Sequence, residues 1–187
     1  MNVLPTELPG VLLIEPKVWR DPRGFFFEVW REDRYSAHGI GPRFVQDNHS
    51  KSAHGTLRGL HLQLEQAQGK LVRVLAGEIY DVAVDVRVGS PTFGRFTAHL
   101  LSADNCRQLW VPPSFAHGFV VTSPTAEVEY KCTDYYHQAS EVSVLWNDPA
   151  IGIPWPVAEP LLSAKDVTGL PLAAALAAGK LPRWQSA

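Results

Sequence analysis

Apolar residues in this chain come in short runs separated by turn-forming clusters. The runs at 11–14, 25–30, 44–46, 57–64 and 71–76 come first. Those at 79–88, 93–101, 108–111, 118–122, 128–132 and 142–146 follow. They are rich in Val, Leu, Phe, Tyr and Trp, and they are bounded by DPRG, SAHG, QAQG, GSPTFG, SADN, PPS, TSPT and NDPAIG. Many short strands with turns every 8–12 residues predict an all-β sandwich or barrel. Only two segments read as helix: 31–38, and 172–178, which Gly179 ends. No internal repeat, low-complexity stretch or interior boundary stands out, so one domain is expected over 1–187. Its core is expected over about 10–155, with a C-terminal appendage over about 156–187 packed outside the main sheet.

The segment 80–88 alternates most clearly. Val82, Val84, Val86 and Val88 form one face; Asp81, Ala83, Asp85 and Arg87 form the other. The rarity of buried charge assigns the second face to solvent. Turned into a barrel, it would instead make a polar pocket.

Composition narrows the function. At 187 residues the chain buries a core without staples. Its 15 prolines and 14 glycines are spread along the chain, which favours turns over long helices. Seventeen basic against nineteen acidic residues leave a net charge of −2. That excludes the bulk field of a nucleic-acid or anionic-membrane binder. Cys106 and Cys132 fit no zinc spacing and read as free buried thiols in a reducing compartment. The N-terminal segment lacks the features of a signal peptide, and no run approaches a membrane span of about 20 residues. A cytoplasmic location is therefore expected.

Candidate chemistry gathers in four clusters. The first is Gln46-Asp47-Asn48-His49-Ser50-Lys51-Ser52, then Leu57-Arg58-Gly59-Leu60-His61-Leu62-Gln63 and Lys70. A strand places His61 and Gln63 on one face and Arg58 on the other, unless a bulge at Gly59 lets both reach one pocket. A core histidine satisfied by one hydrogen bond is the plain alternative. The second cluster is Pro112-Pro113-Ser114-Phe115-Ala116-His117-Gly118-Phe119. The two together resemble the paired motifs of cupin barrels. In metal cupins the first motif reads His-x-His; here it reads His61-Leu62-Gln63, and a glutamine is a poor ligand for a transition metal. No metal site is expected. The third cluster is Tyr130 to Tyr136, where Tyr130 could be amphipathic core or a proton donor. The fourth is Ser163-Ala164-Lys165-Asp166, which also has the spacing of a helix cap.

These clusters resemble the dTDP-4-dehydrorhamnose 3,5-epimerase family. The match also includes Asp21-Pro22-Arg23-Gly24-Phe25-Phe26-Phe27-Glu28, Gln68-Gly69-Lys70-Leu71-Val72-Arg73 and Ser90-Pro91-Thr92-Phe93-Gly94. It ends with Trp146-Asn147-Asp148-Pro149 and Ser163-Ala164-Lys165-Asp166, and it runs in order from about residue 10 to 166. The resemblance implies a cupin-type jelly roll, a homodimer, and an isomerase that needs no metal or cofactor. It implies that His61 is the base, with Asp166 as its dyad partner; Asp81 or Asp85 is an alternative partner. Tyr130 would be the proton donor and Lys70 the stabiliser of the enolate oxygen. Arg23 and Arg58 would hold the diphosphate of a dTDP-sugar. Gln46, Asp47, Asn48, His117, Glu141 and Lys165 would complete the binding positions, with Tyr136 stacking on thymine. Arg23, Phe26 and Glu28 would reach the site from the partner subunit. A single-carbon epimerase of a related sugar and a non-catalytic nucleotide-sugar binder are the competing readings.

Overall fold

The computed structural model describes residues 1–41 and 43–185. Most of the apolar runs form strands of two antiparallel sheets. One has the order β1 (Asn2–Pro5), β2 (Leu12–Glu15), β10 (Gln108–Val111), β7 (Lys70–Ala76), β12 (Thr125–Cys132), β5 (Gln46–Ala53). The other has the order β13 (Glu141–Ser143), β6 (Leu57–Gln63), β11 (Phe115–Val121), β8 (Glu78–Asp85), β9 (Phe96–Ser102). A separate ribbon pairs β3 (Trp19–Asp21) with β4 (Gly24–Phe26). The helices are short: α1 (Glu32–Ser36), α2 (Ala164–Val167) and α3 (Leu172–Ala177). None is long or apolar enough to cross a membrane.

Period-two alternation sorts the side chains into layers. Leu13, Val72, Val74, Leu109, Phe115 and Val121 meet in the core between the sheets. Their chain neighbours Ile14, Leu71 and Trp110 face outward and pack with Tyr35 and Ile40 of the α1 region. The outer face of the second sheet is covered by the C-terminal segment: Val82, Val84 and Val86 pack with Ile151, Leu172, Ala175 and Leu181. The segment after about 155 thus packs against the outer face of this sheet. It does more than that, because residues 161–166 return to wall the cavity described below. Both cysteines are free and buried.

Three expectations change. The run at 44–46 is not a strand of its own; β5 begins at Gln46 and continues through the polar stretch to Ala53. The run at 25–30 leaves its ribbon after Phe26. Most consequential, the charged face of β8 is not solvated: Asp81 and Asp85 are both 0% exposed. The strand is buried on both faces, so each charge has internal partners. Asp81 pairs with His117. Asp85 accepts hydrogen bonds from Arg87 at 2.8–3.0 Å and from the hydroxyls of Ser90 and Thr92, clamping the turn after β8.

Burial pushes the Asp85 carboxyl up, but those donors outweigh it and hold the group at about 2. A depressed folded value means the stabilisation is fully present above the ordinary carboxylate range and disappears as pH falls through about 2. Asp85→Asn is expected to cost about 2 kcal/mol at pH 7, with the gap to wild type closing toward pH 2. Denaturant titrations of both proteins across that range check it; a constant gap would contradict it.

Candidate active site

The site is built where β6 bulges. His61 sits opposite His117, yet Arg58 sits opposite Phe119, so β6 spends one extra residue between the two pairs. That shift brings Arg58 and His61, three apart in sequence, onto one face, and both line a single cavity. The bulge requires glycine on both strands. Gly59 has φ +128°, and a Cβ there would lie 2.5 Å from the Gly118 Cα. A Cβ on Gly118 would lie 2.8 Å from the Arg58 carbonyl oxygen.

The cavity has a volume of about 580 Å³, within the range of small-molecule sites. On its β6 wall, His61 Nε2 lies 2.6 Å from Asp166 Oδ1. Asp166 arrives through a helix cap. Ser163 is the N-cap of α2, accepts from the Asp166 N–H at 3.3 Å, and donates its hydroxyl to Asp166 Oδ2 at 2.6 Å. The motif is thus a helix cap that also sets Asp166 against His61. Burial pushes the Asp166 carboxyl up, but the bonds from His61 and Ser163 overcome it and keep the group ionised. An ionised acceptor fixes the hydrogen of His61 on Nε2 and leaves the basic lone pair on Nδ1.

His117 lines the same wall, its Nε2 3.0 Å from each oxygen of Asp81. Asp81 therefore serves His117, and Asp85, at the end of β8, bonds Arg87, Ser90 and Thr92 and does not line the cavity; neither is the partner of His61.

The facing sheet supplies Lys70 at the start of β7 and Tyr130 on β12. Burial draws the Lys70 ammonium down, while Cys132, Glu141 and Asp81 draw it back up. Among the described residues it makes no ion pair. Tyr130 packs against the core with its ring and borders the cavity, so the core and donor readings are compatible. Burial raises its phenol above the ordinary value, which keeps it protonated.

The remaining polar lining is ordered by internal bonds. Arg58 donates to Ser52 Oγ at 3.2 and 3.1 Å. Gln46 donates to Asn48 at 3.1 Å and accepts from the Tyr136 N–H at 2.9 Å. Glu141 accepts from Lys165 at 2.7 Å and from the Tyr136 hydroxyl at 3.0 Å. Gln63, which replaces a metal-cupin histidine, is spent on the loop beyond β6. It donates to the Gln66 and Tyr135 carbonyls at 2.8 and 3.2 Å and accepts from the His137 N–H.

Four of the expected residues do not line this chain's own cavity; three of them, Arg23, Phe26 and Glu28, are the ones expected from a partner subunit. Asp47 lies on the outer face of β5, paired with Lys131 at 2.9 Å. Arg23 and Phe26 stand on the exposed ribbon, with the Arg23 side chain 90% and Phe26 71% exposed. Glu28 pairs with Arg34 at 3.0 Å. Conversely, Leu161 and Leu162 line the cavity from outside the quoted motifs, and Ser50, Gln68 and Ser163 line it from within motifs that gave them no binding role. For Ser50 the signal was present: it continues the alternation Gln46, Asn48, Ser50 along β5.

A family model for dTDP-4-dehydrorhamnose 3,5-epimerase matches residues 5–174. The chain belongs to that family. The dTDP-4-dehydrorhamnose 3,5-epimerase of Shigella flexneri is 56% identical over 171 residues, covering 90% of this chain and 94% of that protein. The Neisseria gonorrhoeae enzyme of the same name is 55% identical over 170 residues, which span 90% of this chain but 52% of that longer protein. The fold matches the crystal structure of dTDP-6-deoxy-D-glucose-3,5-epimerase from Legionella pneumophila in complex with dTDP-4-keto-L-rhamnose. Its TM-score is 0.95 at 51% identity, covering 99% of both chains. The all-β, cupin-like architecture expected from the sequence is thereby established.

Proposed function

We propose that this epimerase-family protein inverts carbons 3 and 5 of dTDP-4-dehydro-6-deoxy-D-glucose, giving dTDP-4-dehydro-L-rhamnose. The observation that carries this is the opposition of two proton-handling groups across one cavity. His61, held by Asp166, stands on one sheet, and the protonated Tyr130 stands on the other.

Both target protons are alpha to the carbon-4 ketone. His61 takes one through Nδ1, and the C–H electron pair moves into an enolate. The Lys70 ammonium stabilises the oxygen on which negative charge develops. Tyr130 delivers its phenolic proton to the opposite face of the same carbon, which inverts it. Solvent then reprotonates Tyr130 and relieves His61 of its proton, and the cycle repeats at the second carbon. These steps call on no cofactor. Arg58 is suited to the diphosphate, as a guanidinium presents paired donors to phosphate oxygens. Gln46, Asn48, His117, Tyr136, Glu141 and Lys165 hold the rest of the nucleotide-sugar.

Two further parts of the reading concern assembly and place. We infer a homodimer in which the segment 23–28 of one copy closes the cavity of the other. Its support is that Arg23 and Phe26 are exposed and absent from their own chain's cavity. A cytoplasmic location suits the two unpaired thiols.

Product identity tests the reaction. Incubation with the keto-sugar nucleotide should give the L-rhamno configuration by proton coupling constants; recovery of unchanged D-sugar would reject it. Lys70→Met is expected to lower kcat/KM by about 10²–10³, the usual loss on removing one oxyanion donor. A loss below about fivefold in steady-state assays would remove Lys70 from the enolate role.

A further inference from the structure

The cavity face of β5 presents Gln46, Asn48, Ser50 and Ser52 at alternate positions. Three of these have internal partners. Gln46 and Asn48 bond each other, Asn48 also reaches Cys132 Sγ at 3.5 Å, and Ser52 receives Arg58. Ser50 does not. Among the described residues its Oγ is the one buried side-chain nitrogen or oxygen with no hydrogen-bond partner. Native folds rarely leave such a group unpaired, because its desolvation goes uncompensated. The exception lies on the cavity wall, two residue pairs along the ladder from Tyr130: Asn48 is in register with Tyr130, and Ser50, the next position on the same face, with Val128.

From this we propose that the Ser50 hydroxyl is completed by substrate and hydrogen-bonds a hydroxyl of the hexose. The inference rests on the proposed function and adds a positioning contact to it. Position favours the sugar, since Ser50 neighbours the strand pair that carries the proton donor. Chemistry favours it too: a serine hydroxyl both donates and accepts, matching a sugar hydroxyl, whereas diphosphate oxygens only accept. The unpaired state of the free protein is then a stability loss retained for binding, a common feature of functional sites.

The test is Ser50→Ala in the full chain. Three readouts are needed: calorimetric affinity for dTDP, calorimetric affinity for dTDP-glucose, and KM and kcat for the keto-sugar. The expected result is about tenfold weaker binding of dTDP-glucose and a similar rise in KM, with dTDP affinity within twofold of wild type. The free variant should melt at the same or a higher temperature, because an unsatisfied hydroxyl has been removed. A purely structural serine would instead lower Tm. Equal weakening toward dTDP and dTDP-glucose would move the contact to the nucleotide and overturn the hexose assignment. Wild-type affinity and KM, or a lowered Tm, would overturn the proposal altogether. Failure of the wild-type protein to epimerise is a separate outcome: it strikes the proposed reaction, while the two binding arms still report on Ser50.

Discussion

His61→Asn is expected to slow loss of the carbon-3 and carbon-5 protons into deuterium oxide by at least about 10³-fold, while substrate affinity changes only a few-fold. Asparagine approximates the imidazole in size and still offers a donor to Asp166, but it has no basic nitrogen. Removing a positioned general base typically costs 10²–10⁴-fold. His117 lines the same wall with its Nε2 likewise held by a carboxylate, Asp81, so it is the group to which any residual exchange would be assigned. The substitution leaves a buried carboxylate with Ser163 and an amide as its partners, so circular dichroism and a melting curve should accompany the kinetics. A folded His61→Asn protein that exchanges at near wild-type rate would show that the base lies elsewhere.

Tyr130→Phe is expected to separate two processes that the wild type couples. Epimerised product should fall by about 10²–10³, since the opposite face loses its proton donor. His61 remains able to remove a proton and return a deuteron to the same face. Unepimerised substrate should therefore still acquire deuterium at one carbon, visible as selective loss of one ring-proton signal. The ring of Tyr130 packs against the core, and phenylalanine preserves that packing, so stability should change little. Product formation by Tyr130→Phe at close to the wild-type rate would assign the donor role to another group.

The architecture was legible in the short apolar runs because central strands of a sandwich are buried and say so in Val, Leu and Phe. It was least legible where burial is not apolar. β5 carries almost no hydrophobic residue: one face meets solvent and the other meets the cavity, so period two is written in polar residues on both sides. Asp81 and Asp85 misled for a related reason. Exposed charge is the commoner case, but β8 lies between β11 and β9, with the C-terminal segment packed on its valine face. Its acids had to find partners inside.

The site divides in the same way. The Gly59 bulge could be anticipated from one glycine between Arg58 and His61, because only a register shift puts both on one face. The His61–Asp166 pair could not be anticipated by periodicity, because 105 residues separate its members. Local pattern showed only a helix cap, and family resemblance supplied the partner. The fold reconciles the two, since the cap hydroxyl of Ser163 is what orients the carboxylate toward His61. Asp47 shows the limit of a motif: it sits in the run that carries Gln46 and Asn48, yet the pleat turns its side chain the other way.

The central claim is that one cavity removes protons alpha to the ketone on both sides of it. Wild-type protein incubated with dTDP-4-dehydro-6-deoxy-D-glucose in deuterium oxide, and followed by proton NMR, tests this directly. The signals of the protons on carbon 3 and carbon 5 should both disappear as the L-rhamno product forms. Exchange at neither carbon, with the nucleotide-sugar demonstrably bound, would contradict it; exchange confined to one would reduce the protein to a single-carbon epimerase.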